Sequence, residues 1–428
     1  MFKNVLRGFF HRLTEVNLKS DFLHKVIITL STRILLLIIG VLTTIVIVRL
    51  LGPEGRGLYA LAMTCIGIGI QLGTLGFHAS NTYYVAQDST LLSILLGNSL
   101  LLSLVAGIAV ALLVLIIVRV WPDILPFDNT LLSLILLGFP IALAYVLIQS
   151  LLVGLHEIQF FNGVELLNKT LALLFIGFCV LSHIVTVSSV FMTAILALTV
   201  VLIMSLFQLK KHSKEFPRCS FYFFQCNFGF GFKAYLVAFF SFLVLRFDLW
   251  MVEYLLGTKE AGYYSIATAM SDMIYVFPML VGKLLFPRLS AEQDIREKQK
   301  KTKLVALLIA VIMSVITFLV VLVIEPVVRV AFGSEFLLSV QPFLWLLPGI
   351  VCLSINSIFM NYFASVDMPL IVVFFPVFAF FLNVFLNLYF IPSYGMVGAA
   401  FSSSIAYFVM LVFSLTYFSI GYRQRAFS

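Results

Sequence analysis

Twelve stretches of this chain are apolar for long enough to cross a lipid bilayer, and that property constrains its fold more than any other. They lie near residues 26–48, 58–79, 91–118, 130–152, 169–184, 187–208, 231–256, 262–286, 304–327, 338–362, 369–390 and 396–420. A hydrocarbon core about 30 Å thick needs about 20 apolar residues in a helix, and a helix satisfies its own backbone N–H and C=O groups where no water can. Of 428 residues, 62% are apolar and 11% charged, against about half and about a quarter in a soluble domain. The sequence therefore predicts an all-α polytopic membrane protein with 12 transmembrane helices and excludes a water-soluble enzyme. The division hardest to place falls between the fifth and sixth stretches, where Ser182 and His183 are the clear interruption. Undivided, that run of about 40 residues would extend about 60 Å, so it must turn back.

Basic residues give the orientation, because cytoplasmic segments retain Lys and Arg. With the N-terminus inside, nineteen of the 27 basic residues fall in inner segments, clustered at residues 3–25, 210–233 and 288–303, at Lys169, and at Arg423 and Arg425. Arg49, Arg56, Arg119, Lys259 and Arg329 fall outside, and Arg33, Arg246 and Lys283 lie within spans. Both termini are thus predicted to be cytoplasmic. The net charge of +8 is read as a topology signal near anionic lipid, not as a nucleic-acid footprint. Residues 1–25 set Phe2, Val5, Leu6, Phe9, Phe10, Leu13 and Val16 at helical spacing among Lys3, Arg7 and Arg12, which suggests an amphipathic N-terminal segment lying on the membrane face. Cys65, Cys179 and Cys352 sit in apolar spans, and Cys219 and Cys226 share a loop without a neighbouring histidine. Neither a disulfide framework nor a metal site is expected, and no cofactor.

An internal repeat divides the chain. LLGPEGRGLYALA at residues 50–62 aligns without gaps to LLGTKEAGYYSIA at 255–267, pairing Leu50 with Leu255, Leu51 with Leu256, Gly52 with Gly257, Gly57 with Gly262, Tyr59 with Tyr264 and Ala62 with Ala267. Both copies follow the first span of a six-span set. Six is even, so both sets enter the membrane in the same direction, related by a pseudo-twofold axis along the membrane normal. The expected units are residues 26–212 and 213–428, two six-helix lobes with a substrate cavity between them.

Charges inside spans cost from about 2.5 kcal/mol upward, so each needs a partner, a wet cavity or a function. The seventh span carries Arg246, Asp248 and Glu253, and the eighth Asp272 and Lys283. Arg246 and Glu253 share a stripe, whereas Asp248 is turned about 200° from Arg246. The first span adds Arg33, which cannot shed its charge. Arg33, Arg246 and Lys283 are candidates for drawing a phosphate-bearing headgroup into the cavity, since guanidinium forks match phosphate oxygens. The competing reading has Arg33 and Lys283 reaching toward the interface while Arg246 pairs with Asp248 or Glu253. Asp248, Glu253 and Asp272 are candidates for ion coupling or charge pairing. Gln71, His78, Asn81, Asn98, Asn361, Asn383 and Asn387 are read as interhelical hydrogen-bonding groups, and Gly69 with Gly73 as a close-packing pair. Pro140, Pro278, Pro348 and Pro376 should kink their spans. There is no Gly-rich phosphate loop, HExxH, GxSxG or CxxC motif, so no enzymatic centre is expected.

Taken together, RLLGPEGRGLYALA, LRFDLWMVEYLLGTKEAGYYSIATAM, FPRLS and IPSYGMVGAAFSSSIAY, in their order and spacing, resemble the oligosaccharide (O-antigen, Wzx-type) flippases of the multidrug and oligosaccharidyl-lipid exporter superfamily. The resemblance implies two lobes arranged as a V and transport of an undecaprenyl-diphosphate-linked oligosaccharide from the inner to the outer leaflet of a bacterial cytoplasmic membrane. It implies cationic cavity residues on the diphosphate, with Arg33, Arg246 and Lys283 the positions available. Membrane lipid and polysaccharide-assembly proteins would be its partners. Two alternatives stay open: an antiporter of cationic drugs on the same fold, for which Asp248, Glu253 and Asp272 would serve, and a membrane-embedded sugar polymerase, which the short outer loops disfavour.

Overall fold

The computed structural model describes residues 20–213, 215–366 and 368–426. The amphipathic segment read from residues 1–25 lies, up to residue 19, outside them. Twelve α-helices and three short 3₁₀ turns make up the described fold: α1 Ser20–Thr74, α2 Phe77–Gln87, α3 Leu92–Val120, α4 Asn129–Gly154, α5 Ile158–Leu181, α6 Val187–His212, α7 Phe221–Leu256, α8 Thr258–Ala291, α9 Ile295–Ala331, α10 Val340–Ala364, α11 Leu370–Tyr394 and α12 Met396–Ala426.

Eleven helical segments among the described residues are long and apolar enough to cross a membrane, and the first of them, Ser31–Thr74, has 44 residues. Such a helix would be about 66 Å long, twice the hydrocarbon core. It is bent at Gly52, where φ is 66° and Pro53 follows. Only glycine takes that conformation without strain, so α1 is two limbs meeting at a corner, and twelve crossings result. The second limb breaks again at Leu75 and Gly76, both at positive φ, and continues as α2. The fifth crossing starts at Ile158, eleven residues before the apolar window read from the sequence, because Asn162, Glu165, Asn168 and Lys169 dilute the hydropathy of a helix that is continuous. The turn between the fifth and sixth crossings falls at Ser182–Thr186, where Thr186 and Ser189 form a reciprocal cap on α6.

The surface is the inverse of a soluble protein's. Leu112, Ile116, Leu322, Phe381 and Phe385 are exposed, as side chains facing acyl tails must be. Inside, Phe139, Ile135, Ile66 and Phe191 join α1, α4 and α6, while Ile350, Phe359, Phe375 and Met410 join α10, α11 and α12. Gly69 and Gly73 lie against Phe139 and Leu143 of α4, the close packing expected of that pair. Asn81 donates to Ser99 Oγ at 2.8 Å and Asn98 clasps Ser220 in both directions, so these amides join helices.

The repeat reappears in the backbone. Gly257 has φ 106° and ψ 172°, and its counterpart Gly52 has φ 66° and ψ −173°. The two copies also touch. A Cβ on Gly57 would lie 2.1 Å from the Thr258 carbonyl oxygen, and one on Gly262 would lie 1.9 Å from the Pro53 carbonyl oxygen. Pro53 and Thr258 are themselves equivalent positions, so the contact is reciprocal, as a local twofold axis requires. Arg49 strengthens the same end by donating to the carbonyls of Val330 and Ala331 at the close of α9.

Candidate functional site

Directly beneath the glycine contact, between the second limb of α1 and helices α7 and α8, lies a cavity of about 280 Å³. Its walls include Arg56, Tyr59, Arg246, Asp248, Ser265 and Asp272. The repeat explains the location: each copy supplies the turn that starts one wall, and the glycines bring those turns together.

Within this cavity Arg246 donates from Nη2 to Asp272 Oδ2 at 2.7 Å. The competing sequence reading paired Arg246 with Asp248 or Glu253 on its own helix; the structure shows its partner is Asp272 of α8. Asp248 is rotated away from Arg246 along α7, and Glu253 stands about 10 Å further along the axis, whereas α8 runs alongside. Asp248 is 1% exposed and forms no ion pair among the described residues. It accepts hydrogen bonds from Tyr264 Oη at 2.5 Å, Ser403 Oγ at 3.0 Å and the Leu249 backbone N–H at 2.8 Å. Ser403 in turn accepts from Asn383, and Asn387 donates to Asn383 Oδ1, while Asn387 Oδ1 is buried without a partner. A chain of oxygen-bearing groups from α7, α8, α11 and α12 thus surrounds a buried carboxylate. Glu253 is set apart near the end of α7, hydrogen-bonded to Thr258.

Arg56 is the residue that sequence reasoning missed. It counted as a loop charge on the outer side, yet it is 9% exposed. Its Nε donates to Ser265 Oγ at 3.1 Å, its guanidinium lies 5.8 Å from the Tyr59 ring centroid, and no carboxylate pairs with it among the described residues. A guanidinium has five N–H donors and stays charged, so the donors not used on Ser265 are available to an anion in the cavity that Arg56 lines. Its signal in the sequence was its place within the repeat, three residues before Tyr59.

Arg33 and Lys283 belong to a second group, toward the basic end. Arg33 Nη1 pairs with Glu165 Oε1 of α5 at 2.7 Å and lies 5.8 Å from the Phe161 ring centroid, so it does not reach for the interface. Glu165 was overlooked because the apolar window began after it. Its second oxygen, Oε2, is buried and has no partner among the described residues. Lys283, from α8, is within electrostatic reach of both Arg33 and Glu165 and lines a separate cavity of about 250 Å³ with Tyr275, Asn356 and Asn361. The three candidate cations therefore stand at two levels: Arg246 with Arg56 under the glycine contact, Arg33 and Lys283 nearer the opposite end.

Residues 46–341 match the family described as "Polysaccharide biosynthesis protein". Comparison with curated proteins gives no match. Among solved structures, the chain is similar to an inward-facing multidrug resistance MATE family transporter of the MOP superfamily, with a TM-score of 0.73 at 14% identity over 92% of this chain and 97% of the other. It is similar to the lipid II flippase MurJ in an inward closed conformation, with a TM-score of 0.72 at 13% identity over 91% and 87%. A MOP-superfamily transporter from Pyrococcus furiosus, described by a binding pocket of reverse polarity, gives 0.68 at 14% identity over 92% and 93%. At these identities the likeness concerns the fold, which is that of MOP-superfamily transporters.

Proposed function

The chain belongs to the polysaccharide biosynthesis protein family, and from that premise we propose that it is a flippase carrying an undecaprenyl-diphosphate-linked oligosaccharide, an O-antigen or similar repeat unit, across a bacterial cytoplasmic membrane. The observation that carries this reading is Arg56: a buried guanidinium with no carboxylate partner among the described residues, lining one cavity together with Arg246. A permanently charged group in that position calls for an anion, and a diphosphate is the anion this family's lipid carriers present. The head would cross between the units at residues 26–212 and 213–428 while the isoprenoid stays in lipid, which avoids placing two phosphates in hydrocarbon.

Arg246 would exchange its partner in the cycle. Asp272 neutralises it in the structure; a diphosphate offers more charge and a bidentate geometry, so the headgroup would displace Asp272. Arg33 and Lys283 would act first, at the cytoplasmic mouth, with Glu165 holding Arg33 until substrate arrives. Asp248 would hold the coupling ion, a proton or a monovalent cation, among the oxygens of Ser403, Asn383 and Asn387, with both chain termini on the cytoplasmic side. A cationic-drug antiporter would use Asp248 and Asp272 as ligands, but Asp272 is occupied by Arg246 and Arg56 would repel the drug. In cells lacking the gene, lipid-linked repeat units should accumulate on the cytoplasmic leaflet. Arg56→Ala and Arg246→Ala should do the same at unchanged protein level. Normal surface polysaccharide in both variants would refute the reading.

A further inference from the structure

Helices α1 and α7 meet along a seam with two different sides. On one side is the charged cavity. On the other is an apolar cleft of about 370 Å³, whose walls include Leu113, Phe139, Phe247, Trp250, Tyr254 and Leu388. The two compartments share their walls. Along α7, Arg246, Asp248 and Leu249 face the cavity, whereas Phe247, Trp250 and Met251 face the cleft. On the second limb of α1, Thr64 and Gly67 belong to the cavity, and Cys65, Ile68 and Gly69 to the cleft. The seam is closed at Gly67, where a Cβ would lie 2.6 Å from the tip of the Phe242 ring. Leu113, Tyr254 and Leu388 are exposed on the lipid-facing surface, so the cleft opens sideways into the bilayer.

We propose that this cleft seats the isoprenoid chain next to the diphosphate, while the diphosphate occupies the charged cavity across the seam. The assignment rests on the flippase reading above. A molecule bridging the seam must carry an anionic group for Arg56 at one end and be wholly apolar a few atoms later, and a polyprenyl diphosphate has that construction. The chain already lies in lipid, so the cleft gains nothing from the hydrophobic effect. Its preference comes from packing: the walls combine four aromatic rings with aliphatic side chains, a surface suited to the methyl branches and double bonds of an isoprenoid. Phe242 on Gly67 then acts as the latch that must swing aside for head and tail to sit on opposite sides of one helix pair.

The test uses the full chain in nanodiscs with two probes, undecaprenyl diphosphate and inorganic pyrophosphate, and two variants. Leu113→Trp fills the cleft from its exposed rim. It should weaken undecaprenyl diphosphate at least tenfold and leave pyrophosphate unchanged, whereas Arg246→Ala should weaken both. A diazirine-bearing undecaprenyl diphosphate should label Trp250 or Tyr254, with the label chased by unlabelled carrier and not by excess phosphatidylglycerol. Equal chase by phosphatidylglycerol, or an unchanged undecaprenyl diphosphate affinity in Leu113→Trp, would overturn the assignment and leave ordinary lipid as the occupant. Failure of the unaltered protein to bind either probe would instead overturn the flippase reading, and this assignment with it.

Discussion

Adding one methyl group at Gly262 should hold the protein open at the end where the two repeat copies meet. The Cβ would lie 1.9 Å from the Pro53 carbonyl oxygen and 2.7 Å from its carbon, where ordinary contact begins at 3.4 Å. Both obstructing atoms are backbone, so no side chain can rotate away, and the two turns must separate by about 1.5 Å, from 1.9 to 3.4 Å, to restore ordinary contact. Overpacking of this kind costs about 1–3 kcal/mol, and a rigid backbone clash belongs at the upper end. About 3 kcal/mol would shift the ratio of closed to open forms by roughly 100-fold. In the proposed alternating cycle the cost would fall on the form in which the turns touch, so the substitution should bias the cycle without unfolding the chain. The assay is alkylation of a Thr268→Cys probe, which lines the cavity, by a membrane-impermeant maleimide applied from outside to a variant lacking the native cysteines. Gly262→Ala and its repeat partner Gly57→Ala should each raise the alkylation rate at least tenfold and abolish flipping. Gly177→Ala, with nothing within 4 Å of the added carbon, serves as the control and should change neither. Alkylation of both variants at the parent rate, with transport intact, would show that the glycine contact does not seal the cavity.

Asp248→Asn preserves shape and most of the hydrogen bonds from Tyr264 and Ser403 while removing the charge; transport should persist at equilibrium and lose its response to an imposed proton or sodium gradient, measured in proteoliposomes. The Arg33–Glu165 pair is partly buried, so its coupling energy should fall between surface and buried values, about 1–2 kcal/mol, in a double-mutant cycle of Arg33→Ala and Glu165→Gln followed by thermal unfolding. Reporter fusions truncated after Arg56 and after Lys214 should report opposite compartments; identical compartments would overturn the count of crossings.

The crossings were legible because membrane solvation leaves a strong signature: a helix in lipid must be apolar over its whole length, and that can be counted. The start of α5 was not legible because Asn162, which is buried, and Glu165, which pairs with Arg33, lower the hydropathy of that window. Helical period told which charges share a face of α7, but a period cannot name the neighbouring helix, so Arg246 was given partners on its own strand of sequence and found Asp272 instead. Arg56 looked solvent-exposed because it lies beside a Gly-Pro corner. Only the docking of one repeat copy on the other buries it, and that contact joins positions 205 residues apart.

The clasp between Asn98 and Ser220 has a mechanical consequence. Together with the hydrogen bond from Arg218 N to Ser93 O and the abutting backbones of Gly76 and Gly231, it rivets the beginning of α7 to α2 and α3. In the proposed cycle, a rocking motion would swing about this corner as a door swings on its jamb, and the opposite side, where α1 faces α8, would move the most.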